Sequence, residues 1–296
     1  MSGKLNHQPT SHGSMPLLTE FRQLMKHYSR NLDAQAKNDY HEFKQVCDRI
    51  ESRFNVKINK LKILEIGCGQ RYPHALILAQ SNEVHAIDLD VILTRWTPPL
   101  LFQLFKQGGF KRAAKTIIRR ALFDNKYHQH LAALSGKDFN KTPNIYRMSG
   151  EKLDFPDNSF DLVFSKAVFE HIRRIDEVIP EIKRVLKPGG IIGIEINLYT
   201  GFTGGHNLLG EEPETTDVPP WDHLRQRKFP PNTYLNKLRI DDYKKAFEEH
   251  FEIVYYYEEE KRQYEKFLTP EIREELSEYS VHELLTNGML VLAKKN

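Results

Sequence analysis

The sequence predicts an α/β fold: a seven-stranded, mostly parallel sheet with helices on both faces and helical insertions. Three features predict it. Seven short, β-rich apolar runs punctuate the chain after Leu61. The first five alternate with stretches of helical spacing, and such alternation requires crossover connections between parallel neighbours. The first run passes through Gly-x-Gly straight into an apolar helical stretch, LEIGCGQRYPHALILAQ (64–80). Open α/β sheets use that turn to present a helix N-terminus to a ligand.

Residues 1–15 are polar, lack the apolar stretch of a signal peptide and read as a disordered tail. Residues 16–58 are expected to form N-terminal helices, one over about 17–36 and one over about 40–56, from apolar residues at helical spacing. The main domain is expected over 59–296. Its strands are LKILEIG (61–67), EVHAIDLD (83–90), NIYRM (144–148), FDLVFS (160–165) and GGIIGIEINL (189–198). A final pair follows, FEIVYYY (251–257) and GMLVLAKK (288–295).

Two insertions break the rhythm. Residues 91–143 are too long for one connecting helix and hold ten Lys/Arg against Asp124 and Asp138, a net of +8 in a chain whose net charge is +3. Within them FKRAAKTIIRRALF (110–123) sets cations between apolar residues at helical spacing. Residues 199–239 are rich in Gly, Pro, His and Trp and are expected to cover an acceptor. Near the C-terminus, 247–267 reads as a strand running into a charged helix, its tyrosines on a sheet face. Residues 269–285 read as a solvated surface helix, with Thr269 as cap and Pro270 in the first turn.

Composition narrows the function. Hydrophobic residues make up 40 % and charged residues 28 % of 296, with mean hydropathy −0.58. No apolar run reaches the ~18–20 residues that a bilayer requires. Cys47 and Cys68 lack metal-ligand spacing, so no zinc site or disulfide framework is expected. These features fit a soluble cytoplasmic protein.

The chemistry is read from the first turn. Glycine admits backbone angles closed to other residues and lets a ligand approach the main chain. The second strand ends at Asp88, 21 residues after Gly67. A carboxylate at that distance can take both ribose hydroxyls of a bound nucleoside. A dinucleotide needs a glycine-lined path for its pyrophosphate. Gln70, Arg71 and Tyr72 crowd that path, which favours a cofactor without phosphate.

Two later segments complete the pattern: GEKLDFPDNSFDLVFSKAVFEHI (150–172) and RVLKPGG (184–190). Together with E-x-G-x-G and the acid after strand two, in this order, they closely resemble the class I methyltransferases that use S-adenosylmethionine (SAM), in particular the ubiquinone and menaquinone biosynthesis group. The likeness covers about 60–198. It implies a Rossmann-like sheet and SAM as cofactor. By the resemblance, Glu65, Gly67 and Gly69 lie under the methionine part, Asp88 binds the ribose and Leu89 packs on the adenine. Ser149, Gly150 and Glu151 hold the adenine edge, and Ser165 lines the methionine side. The sequence departs from the family where a third glycine is usual and Arg71 stands, which is expected to reach the cofactor carboxylate. It departs again at Ser149, where the family often has Asp.

The expected reaction is in-line attack on the SAM methyl group, with the protein aligning the partners. Oxygen in a small molecule or glycan is the expected acceptor, with His171, His206, His223 and Asp222 as candidate bases. His171 falls where the family often has a histidine near cofactor and acceptor. One alternative is a methyltransferase of RNA or protein docking through the basic insertion, although no RNA-binding motif is present. Another is a non-catalytic SAM-binding protein. The basic insertion is further expected to be a helical cover, a contact for an anionic acceptor, or a peripheral membrane contact.

Overall fold

A computed structural model describes residues 31–206, 218–225, 228, 231 and 233–296. The seven expected strands are present, in the sheet order β3-β2-β1-β4-β5-β7-β6. The chain divides into two compact units, with the division falling between Ser149 and Gly150.

The first unit opens with α1, Leu32–Phe54. Leu32, Ala36, Phe43, Val46 and Ile50 are buried, at the spacing of one helix face. The helix runs unbroken across 37–39, where a break was expected: those residues contain neither Pro nor Gly, and polar side chains on a solvated face do not end a helix. The expected tail and the start of the first expected helix lie outside the described residues. Strands β1 (Lys62–Ile66), β2 (Glu83–Asp88) and β3 (Asn144–Arg147) run parallel. Helix α2, Pro73–Ala79, has Pro in its first turn and buries Ala75 through Ala79.

The basic insertion is helical, as expected. Helix α3, Pro98–Arg119, is interrupted at Gly109, where φ is 68°. A single π-helical turn, Arg120–Asp124, leads into α4, Asn125–Ser135. Helix α4 packs on α1, and the fully buried Tyr127 donates its hydroxyl to Asp39.

The second unit has β4 (Phe160–Lys166) parallel to β5 (Leu186–Asn197). Strand β7 (Thr286–Lys294) lies antiparallel between β5 and β6 (Glu252–Glu260). Helices α5 (Ile175–Val185) and α6 (Ile240–Glu248) bury Val178, Ile179, Ile182, Tyr243 and Phe247. The expected charged helix after β6 is a 3-10 stretch, Arg262–Phe267. The expected single helix over 269–285 is two, α7 (Pro270–Glu275) and α8 (Val281–Leu285). Thr269 caps the first, as expected, and Ser280 with Glu283 forms a capping box that starts the second. Neither lies wholly in solvent: Ile272, Leu276, Leu284 and Leu285 join Phe202, Trp221 and Leu268 in one buried cluster. No helix among the described residues is long and apolar enough to cross a membrane.

Candidate functional site

The first unit builds a cradle at the carboxyl end of β1. Gly67 and Gly69 have φ of 75° and 66°, the left-handed region that glycine enters without strain. The Gly67 and Cys68 amides donate to the Ile87 carbonyl. The Gly69 amide donates to Asp88 Oδ2 at 2.9 Å, and Asp88 Oδ1 accepts from the Asp90 amide at 2.9 Å. One carboxylate thus ties the glycine turn to the end of β2. A Cβ placed on Gly69 would meet no atom within 4 Å, so the turn faces open space.

Glu65 lies on β1 and is 1 % exposed. Its Oε1 faces His74 Nδ1 at 3.2 Å, while Oε2 is buried with no hydrogen-bond partner among the described residues. Unsatisfied buried carboxylate oxygen costs free energy unless a cation or donor meets it. Leu89, just past Asp88, is 40 % exposed, an apolar side chain available to a flat ligand. The Met148 amide donates to the Asp88 carbonyl at 3.0 Å, which brings Ser149 beside the end of β2.

Arg71 is placed differently from expectation. Its Nε donates to Asp124 Oδ1 at 3.1 Å, its Nη1 to Gln35 at 2.8 Å, and its guanidinium lies over the Tyr127 ring. Asp124 is 1 % exposed and also accepts from Arg119 Nε at 3.1 Å. The side chain that replaces the third glycine therefore turns away from the cradle and locks the loop to the helices of the insertion.

In the second unit, Gly150 and Glu151 form a turn, and Ser165 is fully buried on β4 opposite Ile194. The motifs at 154–161 and 184–190 are joined by Arg184. It donates to the carbonyls of Leu153 and Phe155 and to Asp157 and Glu181. The Asn158 and Ser159 amides donate to the Arg184 and Val185 carbonyls.

Beyond β4, the 3-10 turn Phe169–His171 carries a polar cluster. Glu170 is buried, and its Oε1 accepts from Asn197 Nδ2 at 2.9 Å while Oε2 has no partner among the described residues. His171 Nε2 and His206 Nε2 each lie 3.8 Å from Glu170 Oε1. The two imidazole rings meet edge-on at 5.0 Å. His171 Nδ1 faces the Tyr234 carbonyl at 2.9 Å, so it carries the proton and leaves Nε2 with a lone pair. Asn236 braces the turn: its side-chain amide donates to the Phe169 and Ile172 carbonyls, and its backbone N–H donates to the Glu170 carbonyl.

Burial shifts these groups. It pushes the Glu170 carboxyl up to about 7, against the lowering effect of the Asn197 bond. Burial, then the neighbouring imidazoles of His171 and His223, push His206 down to about 4. Burial also lowers His171. Both imidazoles are therefore neutral at pH 7.

His223 and Asp222 have other employment. His223 Nε2 donates to the Tyr199 carbonyl at 2.7 Å, and Tyr199 returns its hydroxyl to the His223 carbonyl. A Cβ on Gly205 would lie 2.9 Å from His223, and one on Gly204 would lie 2.3 Å from the Tyr199 oxygen. The glycine pair thus permits the packing that fixes this loop. Asp222 is buried and accepts from the Lys228 amide. Of the four candidate bases, the structure brings together His171 and His206, with Glu170 and Asn236 as members that sequence reasoning missed. An acid inside the apolar run AVFEHI was the available signal for Glu170. Within the expected cover, residues 207–217, 226, 227, 229, 230 and 232 lie outside the described residues.

The methyltransferase domain family matches residues 117–194. A protein of Mycobacterium tuberculosis described as an uncharacterized methyltransferase is 36 % identical over 75 residues, 25 % of this chain and 30 % of that protein. A sterol 24-C-methyltransferase of Gibberella zeae is 51 % identical over 57 residues, 19 % of this chain and 15 % of that enzyme. The matches thus span less than a third of these curated relatives. Among solved structures, a putative sarcosine dimethylglycine methyltransferase from Galdieria sulphuraria aligns with TM-score 0.47 and 14 % identity over 86 % of each chain. Over these stretches the chain is similar to methyltransferases, and its seven-stranded sheet is the fold that the sequence likeness led us to expect.

Proposed function

We propose that the protein transfers the methyl group of SAM to a hydroxyl oxygen of a small-molecule or glycan acceptor. The observation that carries the cofactor half is the cradle. It offers a buried carboxylate oxygen on Glu65 without a partner, an open face at Gly69, and the Asp88 carboxylate holding the turn. These residues fit SAM. The Glu65 oxygen suits the cofactor's ammonium group, Asp88 its ribose hydroxyls, and Leu89 its adenine face. Glu65, Gly67, Gly69, Asp88, Leu89, Ser149, Gly150, Glu151 and Ser165 are the proposed cofactor residues. Arg71 is assigned instead to supporting the loop.

When bound, SAM supplies a methyl on a sulfonium, already a good leaving group. The protein's own task is alignment and proton removal. His171 Nε2 has a free lone pair because Nδ1–H is committed to Tyr234, so it can accept the acceptor's proton. His206 Nε2 is a second acceptor in the same cluster, and Glu170 can neutralise the charge that results. His223 and Asp222 are assigned to holding the loop.

Calorimetry with SAM and S-adenosylhomocysteine tests the cofactor half. Micromolar binding, about −8 kcal/mol, is expected for wild type. Transfer of a labelled methyl group to acceptor candidates tests the rest, with His171→Ala and His206→Ala as probes of the base. A wild-type chain that binds neither ligand contradicts the proposal.

A further inference from the structure

The cluster around Glu170 has a second chemistry besides the one proposed above. Glu170, His171 and His206 each offer one ligand atom, and these atoms all lie within 4.8 Å of one another. We infer that these three side chains form a binding site for one divalent d-block cation of the zinc class.

Four features support it. The donor set is two imidazoles and one carboxylate, a mixture suited to zinc, cobalt, manganese or ferrous ion and unlike the all-oxygen shells of magnesium and calcium. Both Nε2 atoms lie 3.8 Å from the same Glu170 oxygen, so contraction by a few tenths of an ångström gives metal-like spacing. The outer partners are those that ligands of this kind use. His171 Nδ1–H is fixed by a backbone carbonyl, which presents Nε2 inward, and Asn197 orients the carboxylate. Finally, Glu170 is 1 % exposed and keeps one oxygen without a partner among the described residues, a burial that a cation would compensate. Three protein ligands leave coordination positions open, the pattern of catalytic and not of structural zinc sites. With the two Nε2 lone pairs then on the metal, the cation would take over the histidines' part in proton removal, since an acceptor hydroxyl in an open position would lose its proton more readily.

The test uses the full chain stripped of metal by chelator and titrated with Co2+, followed in the visible d–d bands, with Zn2+ as competitor. One equivalent is expected to bind and be displaced by Zn2+. Glu170→Gln, isosteric and so expected to fold, and His206→Ala are expected to weaken binding by at least the roughly tenfold that losing a ligand's hydrogen-bond partner already costs. His130→Ala, in the first unit, should leave it unchanged. Absence of the bands, or binding undiminished in Glu170→Gln and His206→Ala, overturns the site. Calorimetry with S-adenosylhomocysteine on the same samples separates this from the cofactor reading. A chain that binds the nucleoside but no cobalt loses the metal site alone, and the converse loses the cofactor reading alone.

A separate observation concerns the basic insertion. Trp96, just before α3, and Phe102, Phe105 and Phe110 on it are 52 %, 67 %, 41 % and 76 % exposed, and the Phe105 and Phe110 rings, either side of the Gly109 break, lie 6.2 Å apart. Leu104 and Ala113 form the inner, buried side of the same stretch with Val91. The segment 91–143 carries net +8. Exposed aromatic rings among cations are complementary to an anionic bilayer surface, where rings enter the interface and Lys/Arg meet the headgroups. We propose that this face docks on anionic lipid. Flotation with phosphatidylcholine vesicles, with and without phosphatidylglycerol, should show binding only to the anionic ones, reduced by salt. The pair Phe102→Asp and Phe110→Asp should abolish it while nucleoside affinity stays unchanged. Absence of flotation, persistence in the double variant, or a self-association or RNA binding that the double variant removes instead would overturn it.

Discussion

Asp88→Asn is the sharpest test of the cradle, because it changes one charge and almost no volume. In the wild type the two carboxylate oxygens accept from Gly69 and Asp90 amides, each at 2.9 Å. Asparagine keeps one acceptor and turns an NH2 toward the other amide, where donor meets donor. A hydrogen bond to a charged group contributes about 1.5–3 kcal/mol and a neutral one about 0.5–1.5, so weakening one bond and losing the other should cost about 2–3 kcal/mol of stability. If the same carboxylate also accepts from ribose hydroxyls, nucleoside binding loses a comparable amount, about 2 kcal/mol or roughly thirtyfold in Kd. Denaturant melts and calorimetry with S-adenosylhomocysteine read the two quantities separately. Asp88→Glu is the control that retains charge and displaces it by one methylene. A variant Asp88→Asn that melts like the wild type and binds the nucleoside within about twofold would refute the assignment, since no arrangement of these bonds allows both.

Other outcomes follow from the same physics. Asp124→Ala strands the buried Arg119 and the half-buried Arg71 guanidinium groups, each 3.1 Å from it, and should cost about 3–5 kcal/mol in chemical denaturation. Gly69→Ala meets no neighbour but must hold φ near +66°, so a loss of about 1–2 kcal/mol is expected from backbone strain alone. Trp221→Phe deprives the buried Leu284 carbonyl of the indole N–H and should cost about 1–3 kcal/mol, seen as a lower melting temperature. For pH, burial pushes His223 from its ordinary 6.5 down to about 4. The folded form then binds fewer protons than the unfolded chain between those values. Stability is full above 6.5 and falls as pH drops toward 4, by up to about 3 kcal/mol. His223→Gln should flatten that limb of the stability curve, and an unchanged slope would contradict a buried neutral imidazole.

The strands were legible because each is a short apolar run bounded by Gly, Pro or charge, and because a strand's side-chain period is local. Their order was less so. That β7 enters antiparallel between β5 and β6 depends on pairing across tens of residues, which composition does not record. The site shows the same division. Gly67, Gly69 and Asp88 could be read from spacing because a turn and the strand beside it set their geometry within about one crossover. Arg71 could not: its partner Asp124 stands 53 residues further on, inside an insertion with no family pattern to anchor it. Glu170 was passed over because its burial is created by Asn197 and by the loop around Asn236, neither adjacent in sequence.

The two motifs that carried the family resemblance gain a physical reason from Arg184. A single guanidinium, on the tenth residue of α5, cannot reach the loop before β4 unless that loop folds back over the helix end. It does so by accepting at Leu153, Phe155 and Asp157, and by returning the Asn158 and Ser159 amides to the Arg184 and Val185 carbonyls. Asn158 takes a φ of 53° to make that return, a conformation asparagine tolerates better than most residues. The segment 155–161 therefore fixes where β4 begins, and the strand delivers Glu170 and His171 at its far end. A change at Arg184 should accordingly act on the cluster only through the strand. Arg184→Lys keeps the charge but not the fork, and it should lower stability while leaving cobalt stoichiometry at one. A variant of normal stability that has lost cobalt binding would show that the motif acts on the cluster by some other route.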